Sequence, residues 1–217
     1  MTYVSWAVLY EGPADQAYFD VLIPRVLEDI TLRHGIRTTT IPPGPAVTLS
    51  RGTVDDVAKE ACAVQDAFHI VFIHSDTGGR NLELSLDARS DSYCRAMNNR
   101  CNWSLKRCIT ITPRHETEAW VLADPDAIRS LLGFSGSADS IGLPNDAQAA
   151  ERLVDPKAAL EDAVRAVRGS RRLVGARQIY PAIAQRQSLE FLRRSPSFLS
   201  FESKLKVALA DIGCISC

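Results

Sequence analysis

No stretch of this sequence supplies the roughly 20 consecutive apolar residues that a bilayer-spanning helix needs. Its start also lacks the basic residues and apolar run of a signal peptide. A cytoplasmic protein without a membrane partner is therefore expected. Neither GxGxxG nor GxxxxGK[ST] occurs, which sets aside the usual dinucleotide and P-loop routes to phosphate. No internal repeat or low-complexity tract is present, and neither sign of charge dominates, with 25 Lys and Arg against 26 Asp and Glu. Close cysteine pairs are scarce too. Of six cysteines only Cys214 and Cys217 form a CISC pair, while Cys94, Cys101 and Cys108 recur every seven residues. A zinc ribbon needs two close pairs, and a reducing compartment disfavours a disulfide framework, so buried free thiols are expected.

What is present is an ordinary globular composition, 46% hydrophobic and 24% charged over 217 residues, which argues against disorder. The first part alternates strand-like and helical patterns. Residues 3–10 read as a strand that stops at Glu11 and Gly12. From Asp15, a candidate N-cap, the residues Tyr18, Phe19, Leu22, Ile23, Val26, Leu27 and Ile30 recur at helical spacing, with Pro24 predicting a kink or break. Ile36 to Ile41 suits a second strand, and PPGPAVTLSRG a loop. Thr53 caps a helix reaching about Ala67, and residues 68–73 make the most apolar strand. Residues 86–99 read as helix and 108–112 as a fourth strand. This alternation predicts an α/β fold with a mostly parallel central sheet and flanking helices, Rossmann-like in plan. We place that domain at 1–132 and a helical C-terminal extension at 133–217, joined through the flexible stretch 133–146. The extension is basic at 165–194, with eight arginines against one acid, Glu190. Such a segment suits phosphate tracking, a solvated helical face or an acidic partner.

Two acids stand where strands end. Glu11 opens EGPAD, and Asp76 follows FHIVFIH and opens DTGGR. Ligands of open α/β sheets bind outside the carboxyl ends of the strands, so these acids face a shared crevice. Carboxylates there suit Mg²⁺, which takes oxygen ligands and needs only one or two side chains beside a substrate phosphate. The amides around Thr77, Gly78 and Gly79 can cradle a phosphate, and Arg80 can pair with it.

EGPAD at 11–15, HSDTGGR at 74–80 and PRHETEAWVLAD at 113–124 together resemble the Toprim arrangement of topoisomerases, primases and OLD-type nucleases. The EAWVLAD stretch is similar to that of the DUF4276 family, a Toprim-like group. The resemblance implies a Mg²⁺- or Mn²⁺-dependent nuclease acting on phosphodiesters, DNA ahead of RNA. It further implies an ABC/AAA-type ATPase partner in a genome-defence system. Glu11 matches the Toprim glutamate and Asp76 one member of an Asp pair, whose other position holds His74. Glu116 or Glu118 can supply the missing carboxylate, and His74 can ligate a softer ion such as Mn²⁺. The expected metal ligands are thus Glu11, Asp76, Glu116 and Glu118. Glu11, Asp76, Glu118 and His74 are the expected catalytic set, with Glu11 alternatively a general base. Arg114 and His115 are further electrophilic candidates.

Structural readings stand beside these. Glu11 and Asp15 can cap a helix, Asp76 can close an Asx turn, and His69 and His74 can be core histidines. Trp120 and Leu122 can be core, with Asp124 capping the next helix. Two alternatives to a nuclease remain: a non-catalytic interaction or regulatory subunit with a degenerate site, and a nucleotide-binding sensor.

Overall fold

Four parallel strands form the central sheet: β2 (Trp6–Leu9), β4 (Val47–Thr48), β5 (Ile70–His74) and β6 (Cys108–Ile111), in the spatial order β4-β2-β5-β6. A short parallel pair, β1 (Thr2–Tyr3) and β3 (Thr39–Thr40), forms a separate two-stranded sheet. The computed structural model describes residues 2–78, 90–169 and 176–216, without the side chains of residues 176 and 177. The α/β class with a parallel sheet and flanking helices is as expected.

Side-chain alternation along the strands divides the interior into two cores. Trp6, Val8, Ile70 and Phe72 enter the larger one, while Ala7, Leu9, Val71 and Ile73 enter the smaller. β5 is buried along its whole length, as a central parallel strand covered on both faces must be. The larger core holds helix α1 (Pro13–His34), whose expected stripe from Tyr18 to Ile30 is buried. Each large apolar side chain buried this way contributes about 1.5–3 kcal/mol. Helices α2 (Val54–Ala63) and α3 (Asp91–Cys101) cover the opposite face. Among the described residues no helix is long and apolar enough to cross a membrane.

Several local expectations need correction. α1 runs without a break through Pro24. Its N-cap is Gly12, in an extended conformation, because Pro13 at the first helical position already starts the helix; Asp15 lies in the first turn. The 36–41 strand shrinks to Thr39–Thr40, and the Pro-rich loop contains the edge strand β4, whose flanks bond to β2 through Ala46 N–H to Trp6 C=O and Leu49 N–H to Val8 C=O. Thr53 does cap α2, in a reciprocal capping box with Asp56, but α2 ends at Ala63 and a 3₁₀ turn follows.

The helices after residue 133 share the larger core. Leu160 and Val164 of α7 (Pro156–Arg168), Ile183 of α8 (Tyr180–Arg186) and Phe198, Phe201 and Leu205 of α10 (Pro196–Asp211) pack in one cluster with Trp6, Phe72 and Trp120. Between α5 (Pro125–Leu132) and α6 (Ala147–Arg152), the stretch read as flexible contains a 3₁₀ turn and buries Ile141 and Leu143.

The cysteines overturn the free-thiol expectation. Cys62 of α2 is bonded to Cys101 of α3, and Cys94 of α3 to Cys108 at the start of β6. The seven-residue recurrence is the reason: positions two helical turns apart share one face, so Cys94 and Cys101 both turn toward neighbours that carry a thiol. Cys214 is free and buried, and Cys217 lies outside the described residues.

Alkylation of denatured protein before and after reduction, read by intact mass, should therefore differ by four thiols. Replacing both Cys94 and Cys108 by alanine should lower the unfolding free energy in urea by about 2–4 kcal/mol. Equal labelling with and without reductant would remove both bonds from the description.

Candidate functional site

The order of the strands fixes where a ligand can sit. The chain runs from β2 to β4 on one side, then returns to β5 on the other side of β2. The direction of winding thus reverses between β2 and β5, and the crevice beyond their carboxyl ends is the expected binding position. Glu11 leaves the end of β2 and Asp76 the end of β5, so both stand at this switch point.

They meet there. The Asp76 N–H donates to Glu11 Oε2 at 3.2 Å. Glu11, Asp15, Asp76, Glu116 and Glu118 line one cavity of about 160 Å³, together with Lys157 from α7. Glu116 and Glu118 arrive from the segment after β6, with Glu118 opening the short helix α4 (Glu118–Val121). Thr117 between them ties the site together. Its N–H donates to Asp76 Oδ1 at 3.0 Å and its hydroxyl to Asp15 Oδ1 at 2.7 Å.

His74 is buried beneath this layer, its ring 4.8 Å from that of Phe19. With the Thr117 hydroxyl hydrogen committed to Asp15, the Thr117 oxygen accepts from His74 Nε2 at 3.1 Å; Asp76 Oδ1 lies 3.4 Å from the same nitrogen. Nδ1 has no hydrogen-bond partner among the described residues, and Asp15 Oδ2 is 3.9 Å away. Burial favours the neutral ring, but the bond to Asp76 and the charges of Asp15, Asp76 and Glu11 outweigh it and raise the pKa. The expected core-histidine reading fits His74. It does not fit His69, which is exposed and accepts the Ser5 N–H at Nδ1, 3.1 Å away.

The two later glutamates differ. Glu118 is buried and accepts from the Tyr180 hydroxyl at 2.6 Å. Burial raises its pKa; the Tyr180 bond opposes this, and the charges of Asp76 and Asp15 add to it. Glu116 is raised by burial, then by Glu118, Asp76 and Asp155, with Lys157 opposing. Among the described residues its buried Oε2 has no hydrogen-bond partner.

The phosphate cradle is only partly described. Gly79 and Arg80 lie outside the described residues. Gly78 adopts φ +59°, and its N–H is occupied by the His115 carbonyl at 2.9 Å, so that amide is not free for a phosphate. His115 itself has φ +67°, held by its N–H to Thr77 Oγ1 at 2.7 Å. Neither Arg114 nor His115 lines the acidic cavity. Within the basic segment, Arg193 is spent on Asp29, Glu190 and Glu202, and Arg165 on Asp162. Arg171 and Arg172 lie outside the described residues, as does the side chain of Arg177.

A family profile described as a domain of unknown function, DUF4276, matches residues 10–206. The chain belongs to the DUF4276 family. No curated protein and no solved structure matches it. In this DUF4276 protein the matched stretch spans every acid of the cavity. Sequence reasoning missed Asp15, Thr117, Lys157 and Tyr180 as site residues. Thr117 and Asp15 lie inside the marked motifs, whereas Lys157 stands in a helix without a motif and Tyr180 inside the arginine-rich segment, where the pattern of charge does not single out a tyrosine.

The carboxylates of this DUF4276 site share one small cavity, and among the described residues one Glu116 oxygen lacks a partner; oxygen donors of this kind are what a hard cation would take. Among the described residues no group of three or more His, Cys, Asp or Glu side chains stands ready to hold a metal ion. A Mg²⁺ site built on one or two carboxylates and a substrate phosphate does not require such a cage.

Glu118 gives a pH test. Because its folded pKa is raised, its ionisation opposes folding: the cost is absent below the ordinary carboxylate range and complete above the raised value. Glu118→Gln keeps an acceptor for Tyr180 and removes the charge. Its melting temperature should exceed that of the wild type near about pH 8, and the gain should vanish toward about pH 4. A pH-independent difference would show that charge is not the cause.

Proposed function

We propose that this chain is a Toprim-like, divalent-cation-dependent hydrolase of nucleic acid phosphodiesters. The observation that carries the reading is the pairing of Glu11 with the Asp76 backbone at the switch between β2 and β5, beside Glu116 and Glu118 in one cavity. Glu11 and Asp76 would hold Mg²⁺ or Mn²⁺. Glu116, with its unpartnered oxygen, is better suited than the Tyr180-bound Glu118 to support them. A bound ion would supply Lewis-acid polarisation of a phosphoryl oxygen. The protein's own groups orient and restrain: Thr117 fixes Asp15 and Asp76, and the His74 ring backs Thr117 and Asp76 from below. His74 is therefore a positioning residue in this scheme, and it does not line the acidic cavity. Lys157 offers the cavity a cation for a phosphate oxygen.

Within the proposal, DNA is the preferred substrate, the setting is cytoplasmic, and an ABC/AAA-type ATPase in a genome-defence system is the partner. These finer points rest on the Toprim resemblance of the three motifs. A second reading, a non-catalytic subunit, is favoured by one feature. The buried imidazole of His74 stands among the carboxylates at a position where the Toprim pattern has an acid.

Incubation with plasmid and single-stranded DNA in Mg²⁺ or Mn²⁺ should give cleavage that EDTA stops. Glu11→Gln and Asp76→Asn should each reduce the rate by at least ~100-fold. Equal cleavage by the three proteins would assign the activity to a contaminant, and no cleavage by the wild type would favour the non-catalytic subunit.

A further inference from the structure

A second and larger cavity, of about 600 Å³, adjoins the acidic one, and Glu11 lines both. It lies on the α2/α3 side of the sheet. Leu9 comes from β2, Arg51 from the loop before α2, Val54 from the first turn of α2, Ser75 from the end of β5 and Tyr93 from the first turn of α3. Arg51 is exposed and forms no ion pair among the described residues. Tyr93 is partly buried against the smaller core.

We infer that this cleft receives one unstacked nucleotide of the substrate strand, its base beside Tyr93 and its phosphate on Arg51, so that the next phosphodiester reaches Glu11 and Asp76. The inference rests on the hydrolase reading and narrows its substrate to single-stranded or frayed nucleic acid. Three physical facts support it. The volume falls within the range of small-molecule sites, roughly 300–1,000 Å³. Among the described residues the lining sets the Tyr93 ring and the apolar Leu9 and Val54 beside the Arg51 guanidinium and the polar Ser75, Ser92 and His74, which gives a base a stacking surface and polar partners and its phosphate a cation. And the shared Glu11 wall makes the cleft continuous with the carboxylates, where a strand lying across both cavities meets a positive anchor on one side and the acids on the other. A base can enter such a cleft only when it is out of its duplex stack.

The test is fluorescence anisotropy with a fluorescein-labelled oligothymidine and the corresponding labelled duplex, in EDTA so that no cleavage occurs. Circular dichroism melts check that each variant is folded. The wild type should bind the single strand more tightly than the duplex. Arg51→Ala and Tyr93→Ala should each weaken single-strand binding by about 5- to 100-fold, and Tyr93→Phe, which keeps the ring, should restore it. Unchanged binding in folded Arg51→Ala and Tyr93→Ala overturns the inference, as does preference for duplex or no binding by the wild type. The two readings fail separately. Binding that depends on Arg51 and Tyr93 without cleavage in Mg²⁺ or Mn²⁺ sinks the hydrolase and keeps a nucleotide cleft. Cleavage lost in Glu11→Gln, with binding indifferent to Arg51 and Tyr93, does the reverse.

Discussion

Five carboxylates facing one small cavity repel one another, and the local structure is organised to hold them there. Two unit charges about 4 Å apart interact by roughly 4 kcal/mol at the effective dielectric near a protein surface, so the arrangement needs fixed counter-partners. It has several. The Asp76 amide serves Glu11, the Thr117 amide serves Asp76, the Thr117 hydroxyl serves Asp15, and Tyr180 serves Glu118. Beneath them the His74 ring sits within ion-pair distance of Asp15 and Asp76. Of the two later glutamates, Glu116 keeps a buried oxygen that no described residue partners. Donors from three separated parts of the chain are thereby drawn to one place, and the crevice exists because the strand order reverses there.

The parts of this plan governed by short-range pattern were legible in the sequence. β5 announces itself by an unbroken apolar run, α1 by its stripe, and α2 by Thr53 followed by Asp56. Glu11 and Asp76 could be picked out because strand ends point to one edge of a parallel sheet. Pairing between distant segments was not legible. β4 hides in a Pro-rich stretch because two hydrogen-bonded residues on an edge need little propensity when β2 supplies the partner. Neither disulfide is legible either, because each joins separate elements whose approach only the tertiary fold sets.

Roles shifted in the same way. Of the two readings of His74, metal ligand and core histidine, its depth in the fold matches the second and makes it a support for the acids. Asp15 was read as a cap, but the extended Gly12 and Pro13 already start the helix, which releases Asp15 to bond Thr117. The arginine-rich segment looked like a continuous surface in one dimension. In three, Arg193 is an internal tie to α1 and α10 through Asp29 and Glu202.

Gln187 is wholly buried where α8 ends. Its side-chain oxygen accepts from the Tyr18 hydroxyl at 2.6 Å, its amide nitrogen donates to the Trp120 carbonyl at 2.5 Å, and its own carbonyl accepts from Arg25 at 2.9 Å. A foreign segment packed in place of the chain beyond residue 132 would strand the Tyr18 phenol and the Trp120 carbonyl away from water, each a loss of about 1–3 kcal/mol. Recombination that swapped the tail for another would therefore be punished at once, which keeps the sheet and its trailing helices inherited as a single genetic unit.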